Sequence, residues 1–194
     1  MITRFEYVSE LLRERRSIFP ASYTGAKVEE RTIMEILENA NWAPNHKNTE
    51  PWRFVVFCDD ALLSLGEYLA NYYLDHTPED KFSENKYKKT LEKALKSSHV
   101  IAICMQRDPK GSVPEWEELA AVACAVQNMY LSCSSLELGC YWSSPKAIVD
   151  ADKFLQLRDG EQCLGFFYIG VPVKNLKYNA KRKPIQDKVR WRRG

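Results

Sequence analysis

The stretch Ala43-Pro44-Asn45-His46-Lys47-Asn48-Thr49-Glu50-Pro51-Trp52-Arg53-Phe54-Val55-Val56-Phe57 joins two kinds of structure. Upstream of it, Ile33, Ile36, Leu37 and Ala40 recur at helical spacing, and Glu29 and Glu30 lie where a helix dipole favours acid. This predicts a helix over 29–42, ended by Pro44. Downstream, Trp52 to Phe57 is aromatic and β-branched and predicts a strand. Between the two, a pair of prolines stiffens a loop carrying amide, imidazole and ammonium groups. Rigid polar loops on a scaffold are common binding elements. The same residues would also make a plain helix-to-strand connection with its tryptophan in the core.

Working outward, Phe5, Val8, Leu11 and Leu12 predict an amphipathic helix over 3–16. Residues 60–73 and 86–96 read as further helices, separated by a surface loop over 75–83. His99 to Met105 and Leu164 to Val171 are short apolar runs, as expected of strands buried on both faces. Between them, residues 116–138 form a helix apolar nearly all round, which belongs at the centre of a fold or in a subunit interface. Gly139 suits its C-cap, a brief extended piece follows at 140–142, and a short helix is expected at 150–157. Helices alternate with strands without a regular βαβ repeat. The fold class is therefore α+β, one domain over 1–194, with a central sheet wrapped by helices.

The chain's 194 residues bury enough surface to fold without disulfides or metal. Its composition is that of an ordinary globular protein, with no apolar run as long as a membrane span and no secretory signal. Six cysteines without a CxxC pair read as reduced thiols of a cytoplasmic protein. The three histidines are too scattered to suggest a metal site. Charge is uneven: from Lys174 to Gly194 there are nine basic residues and one acid, Asp187, on an otherwise mildly acidic chain. Such an end can meet nucleic acid, an acidic partner or a phosphate. Rossmann, P-loop and serine-hydrolase motifs are absent, so an enzyme built on this chain would draw its reactivity from a bound cofactor.

Four segments carry candidate chemistry. Arg15-Arg16-Ser17, at the end of the first helix, offers a guanidinium fork and a hydroxyl for a phosphate, or a dipole partner on a solvated face. The Pro44–Trp52 loop is the second. Trp142-Ser143-Ser144-Pro145 sets small donors beside an aromatic, suited to a planar heterocycle or simply to a turn. Lys181-Arg182-Lys183-Pro184 is a second phosphate clamp or a solvated tail.

Together and in this order, these segments resemble the nitroreductase family of FMN-dependent oxidoreductases. The matching pieces are "RRS", "APNHKNTEPWRFVVF", the long Ala-rich helix leading into "LGCYWSS", and "LGFFYIGVP" before a basic end. The similarity spans nearly the whole chain and is greatest to the short, single-domain branch of NAD(P)H nitroreductases. It implies a central mixed sheet and an intertwined homodimer with exchange of the C-terminal arm. Two FMN molecules would sit in the interface, with NAD(P)H as co-substrate and a nitroaromatic, quinone or similar acceptor. By resemblance, Arg15, Arg16 and Ser17 hold the phosphate and ribityl chain. His46 and Asn48 approach from the second subunit, Trp142, Ser143 and Ser144 line the isoalloxazine, and Arg182 is a late phosphate ligand. Residues 132–137 match a stretch assigned to nicotinamide-cofactor binding. Trp42 stands where relatives often carry a basic residue. No side chain is required as a catalytic acid or base. A flavin-dependent dehalogenase or dehydrogenase of the same fold, and an FMN-binding module without turnover, remain as alternatives. A nucleic-acid partner is not expected, because no recognition helix or RNP-type aromatic pattern accompanies the basic end.

Overall fold

The computed structural model describes residues 2–176 and 180–194. Its helices are α1 (Arg4–Glu14), α2 (Glu30–Asn41), α3 (Asp60–Asp75), α4 (Glu84–Leu95), α5 (Glu115–Ser135) and α6 (Asp152–Leu155). Its strands are β1 (Trp52–Cys58), β2 (His99–Gln106), β3 (Gly139–Ser143) and β4 (Glu161–Gly170). The strand order is β1-β2-β4-β3, and each of the three pairings is antiparallel. The mixed sheet expected from the sequence is thus antiparallel throughout the described residues. An apolar run reports only that both faces are covered, and here helices cover both faces of an antiparallel sheet.

Side chains alternate across the two central strands. Ile101, Ile103, Met105, Phe167 and Ile169 face α2 and α5. Val100, Ala102, Cys104, Phe166 and Tyr168 face α3, α4 and α6. β2 and β4 are therefore buried on both sides, in a helix–sheet–helix sandwich. One irregularity bends the centre: Ile103 pairs with Gly165 and Cys104 with Cys163, so Leu164 is an extra residue in β4. Gly165 has a φ of +142°, a conformation that L side chains rarely adopt, and a Cβ there would strike the Ser143 carbonyl oxygen.

The short helix expected at 150–157 divides into a 3₁₀ turn over Lys146–Asp150 and the single-turn α6, which Gln156 ends in a left-handed conformation. β4 starts at Glu161, three residues before the apolar run that announced it. Four of the six free cysteines are buried, Cys58 is partly so, and Cys124 is exposed on α5. Among the described residues no helix is long and apolar enough to cross a membrane.

Among the described residues, α1 and the C-terminal end both leave apolar side chains exposed. α1 starts with a capping box between Thr3 and Glu6 yet buries no residue, and Phe5, Val8 and Leu12 lie exposed. Residues 180–194 are exposed throughout, Ile185, Val189 and Trp191 included. Residues 177–179 of the basic end lie outside the described residues.

Tyr23 fastens the chain after α1 to the far end of the sheet. Its hydroxyl donates to the Ile18 carbonyl at 2.8 Å, and its ring fills the space that side chains at Gly139 and Gly170 would occupy. Gly170→Ala would drive a methyl group into that ring. Overpacking of this kind costs about 1–3 kcal/mol, and urea denaturation of the variant is expected to register a loss of that size.

Candidate functional site

α1 stops because Arg15 leaves the helical region, at φ −52° and ψ 127°. Ile18 N–H then donates to the Cys140 carbonyl at 2.8 Å, laying Arg15–Ser17 beside the start of β3. Tyr130 of α5 joins the two segments. Its hydroxyl accepts the Trp142 N–H at 2.8 Å and lies 3.4 Å from Ser17 Oγ. The Arg15 guanidinium stands over its ring at 5.0 Å, and the ring meets Phe167 edge-on at 4.9 Å. Burial pushes the Tyr130 hydroxyl pKa up, so it remains a neutral phenol. Arg15 and Ser17 are thus brought together with Trp142 through Tyr130.

Arg16 turns the other way. Its Nη1 donates to the Arg13 and Arg15 carbonyls at 2.5 and 2.8 Å, closing the end of α1. Its Nε is buried without a hydrogen-bond partner among the described residues, as is Nε1 of Trp142. Ser143 lies 3.1 Å from Lys93 Nζ of α4, which donates to its hydroxyl. That ammonium stands over the rings of Tyr141 and Tyr168 at 4.5 and 4.4 Å. No ion pair to Lys93 occurs among the described residues, and burial lowers its pKa to about 8. A cavity of about 500 Å³ opens beside it.

The Pro44–Trp52 loop sits at the other end of α5. His46 Nδ1 lies 2.5 Å from Glu117 Oε2, and Lys47 Nζ donates to the Ser112 carbonyl at 2.8 Å. Asn48 is exposed, with φ +52°. Trp52 is a core residue, its Nε1 donating to Asn41 Oδ1 at 3.0 Å. Glu117 and Tyr130 are separated along α5 by about 20 Å at 1.5 Å per residue, so one protomer does not unite His46 and Asn48 with Arg15.

The sequence model of the Nitroreductase family matches residues 12–171. The chain belongs to the nitroreductase family. It is 26% identical to "Putative NAD(P)H nitroreductase YfhC" of Bacillus subtilis over 190 residues, 96% of this chain and 95% of that one. A nitroreductase-like family protein from Bacillus cereus superposes with a TM-score of 0.80 at 26% identity, both chains fully covered. A Desulfovibrio desulfuricans structure described as "a putative nitroreductase in complex with FMN" gives 0.72 at 25% identity, covering 97% of this chain and 96% of that one.

In this nitroreductase-family chain Arg182 is exposed, and its Nη1 donates to the neighbouring Lys181 carbonyl at 3.0 Å. Among the described residues no contact joins it to Arg15. Ser132, in the stretch matched to nicotinamide binding, is buried and held by Asn39 at 3.0 Å, so that end faces α2. Trp42 is exposed, with its Nε1 on Glu38.

Lys93 and Tyr130 escaped the sequence reading. Lys93 lies in a helix rich in lysine and glutamate, where one more ammonium reads as solvated. Its signal is position: Thr90, Lys93 and Ala94 share the face that α4 turns inward. Tyr130 is one aromatic in an apolar helix, and its signal is that a buried phenol needs a hydrogen-bond partner.

Lys93 has a consequence for stability. The folded chain releases its proton near pH 8, whereas the unfolded chain holds it to about 10.5. Between those values the unfolded state binds more protons, so the contribution of Lys93 to stability rises with pH. Lys93→Met abolishes that rise. Urea midpoints at about pH 7 and about pH 9.5 are expected to show the variant's relative advantage shrinking at the higher pH; a pH-independent difference would contradict the burial of this charge.

Proposed function

We propose that this chain is an FMN-dependent oxidoreductase that takes hydride from NADH or NADPH and passes it to a nitroaromatic, quinone or similar acceptor. The observation that carries the reading is the grouping around Tyr130 of the Arg15 guanidinium, the Ser17 hydroxyl and the Trp142 backbone, with the Lys93 ammonium on Ser143, the next residue of the strand. Such a set suits a ligand with a phosphate at one end and a planar ring at the other. Arg15 and Ser17 offer charge-assisted donors to the phosphate. Trp142, Ser143 and Ser144 offer an aromatic edge and small donors to the ring. Arg16 Nε and Trp142 Nε1 are buried without a hydrogen-bond partner among the described residues, and an unsatisfied buried donor costs about 1–3 kcal/mol. The Desulfovibrio desulfuricans structure carries FMN, and the Bacillus subtilis relative is named for NAD(P)H.

When bound, FMN supplies the two-electron chemistry, accepting hydride from the nicotinamide and giving it to an acceptor that stacks in the same place in turn. The protein's part is binding, orientation and charge. Lys93 holds a cation beside Ser143, where it offsets negative charge on an electron-rich ring. Tyr130 fixes Trp142 and Ser17 relative to each other.

The remaining wall comes from a second copy in this reading. α5 leaves Trp116, Leu119, Ala120, Ala123 and Cys124 exposed on its outer side, next to the bare apolar residues of α1. A two-fold axis crossing α5 at Ala123–Cys124 sets residue 117 of one helix opposite residue 130 of the other. His46 and Asn48 of each chain would then close the site on its partner, and the arm carrying Arg182, Ile185 and Trp191 would cross with them. The proposed setting is the cytoplasm, where an exposed thiol such as Cys124 stays reduced.

The protein is expected to purify yellow with one non-covalent FMN per chain, bleached by NADH or NADPH under anaerobic conditions and recoloured by a nitroaromatic or quinone. A colourless protein that takes up no added FMN would overturn the reading.

Arg15→Ala is expected to weaken FMN binding by roughly ten- to a hundred-fold, the worth of a charge-assisted pair, with the urea midpoint little changed. Mild oxidation is expected to link the dimer through Cys124, as a band on a non-reducing gel that Cys124→Ser removes. A flavin-bound monomer in sedimentation would exclude the shared site.

A further inference from the structure

Glu118 is the one buried carboxylate among the described residues, 1% exposed on the inward side of α5. No part of the Tyr130 site uses it. Its neighbour Glu117 is partly exposed and holds His46. Glu118 instead meets two groups of the segment that follows β2. Its Oε1 accepts the Asp108 N–H at 2.8 Å, and its Oε2 pairs with the Arg107 guanidinium.

A buried ion pair contributes little net stability over apolar groups of the same volume. What this pair does contribute is a fixed position for residues 107–114. Arg107 Nη2 also donates to the Val113 carbonyl at 3.4 Å, drawing the two ends of the segment together. Between them, the Asp108 carboxylate accepts the Lys110 and Ser112 N–H groups at 3.1 and 2.9 Å, and the Ser112 hydroxyl at 2.5 Å. The turn so formed aims the Ser112 carbonyl at Lys47 Nζ, 2.8 Å away. A chain of hydrogen bonds thus runs from Glu118 to Lys47, whose φ of +53° persists only where its surroundings over-determine it.

We infer that Glu118 is a positioning residue: through residues 107–114 and Lys47 it sets the loop that presents His46 and Asn48 to the flavin of a second copy. The inference rests on the oxidoreductase reading and deepens it, naming what fixes the shared wall of the site. Two successive residues of α5 then hold one loop. Glu117 does so directly, and Glu118 through the turn.

The test replaces the ion pair as a unit, with Arg107→Met and Glu118→Met together. Apolar groups of similar volume are expected to leave the urea midpoint unchanged or raised. The FMN dissociation constant, read by flavin fluorescence, is expected to rise about three- to tenfold, the scale of coupling between residues of one network. A purely structural pair gives the opposite result, lower stability with affinity unchanged. Asp108→Ala, at a partly exposed position, and Lys47→Met, at an exposed one, cut the chain outside the core and decide the matter even if the Met pair unfolds. Each is expected to weaken FMN binding several-fold, and the two together no more than either alone. Hydrogen exchange in the flavin-free protein gives a second readout. The Thr49 and Glu50 amides, bonded to the His46 carbonyl and to Asn45 Oδ1, are expected to exchange faster in these variants. Lys110→Met, on the same turn, leaves both readouts unchanged. Additive effects of Asp108→Ala and Lys47→Met, or FMN affinity unchanged in both, overturn the inference. Faster exchange with unchanged affinity overturns it too, because the loop is then held for something other than the flavin. Wild-type protein that takes up no FMN overturns the oxidoreductase reading and this role together. Wild-type protein that binds FMN, beside variants that bind it equally well, leaves that reading standing and removes this role alone.

Discussion

The two faces of α5 govern the rest of the molecule. On the inner side Ala121, Val122, Ala125, Val126, Met129 and Cys133 are buried against the sheet. On the outer side Trp116, Leu119 and Cys124 are exposed. Hydrophobic burial fixes the helix along the sheet, and that fixes the separation of its two ends. His46 is tied to one end through Glu117, while Ser17 and Trp142 are tied to the other through Tyr130. A rigid rod about 20 Å long between the two groups keeps them apart in one chain. The proposed dimer answers two demands at once, covering the outer face and bringing the separated groups together.

The central strands impose a second constraint. Because β2 and β4 are covered on both faces, every polar group near them has to find a partner or remain uncompensated. The β3–β4 register sets Tyr141 opposite Tyr168. Their rings lie 6.1 Å apart and nearly parallel, and form the platform that receives Lys93. A lysine held by two rings and one serine hydroxyl keeps its site positive without closing it, whereas a carboxylate partner would neutralise it. The sheet register thus sets the electrostatics of the site.

Much of the fold is legible in the sequence because it rests on periodicity. The stripe Ile33, Ile36, Ala40 and the runs at 99–105 and 164–171 mark α2, β2 and β4 within a few residues. Strand direction is not legible in the same way, since an apolar run looks alike in parallel and antiparallel sheets. The bulge at Leu164 is equally silent, apart from the glycine after it. Of the candidate site residues, Arg15, Ser17 and Trp142 meet at Tyr130. Arg182 stands apart from them, exposed and bonded to its neighbour Lys181, and Arg16 spends its Nη1 on the end of α1. Lys93 was hidden by its own helix: composition describes an element as a whole, while burial is decided residue by residue.

The loop between α2 and β1 shows where the fold tolerates strain. Lys47, Asn48 and Glu50 all have φ between +42° and +53°. Such conformations cost about 1–3 kcal/mol each outside glycine and persist only where the surroundings over-determine them. Here the restraints are visible. Glu117 holds His46, the Ser112 carbonyl holds Lys47, Asn45 Oδ1 accepts the Glu50 N–H at 3.1 Å, and prolines bound the loop on both sides. A simple connection between a helix and a strand needs none of this. Strain concentrated in an exposed polar loop, rather than in the packed sheet, is what a rigid presenting element requires. It holds His46 and Asn48 outward from the protomer in one orientation, which is useful only if something outside the protomer is there to receive them.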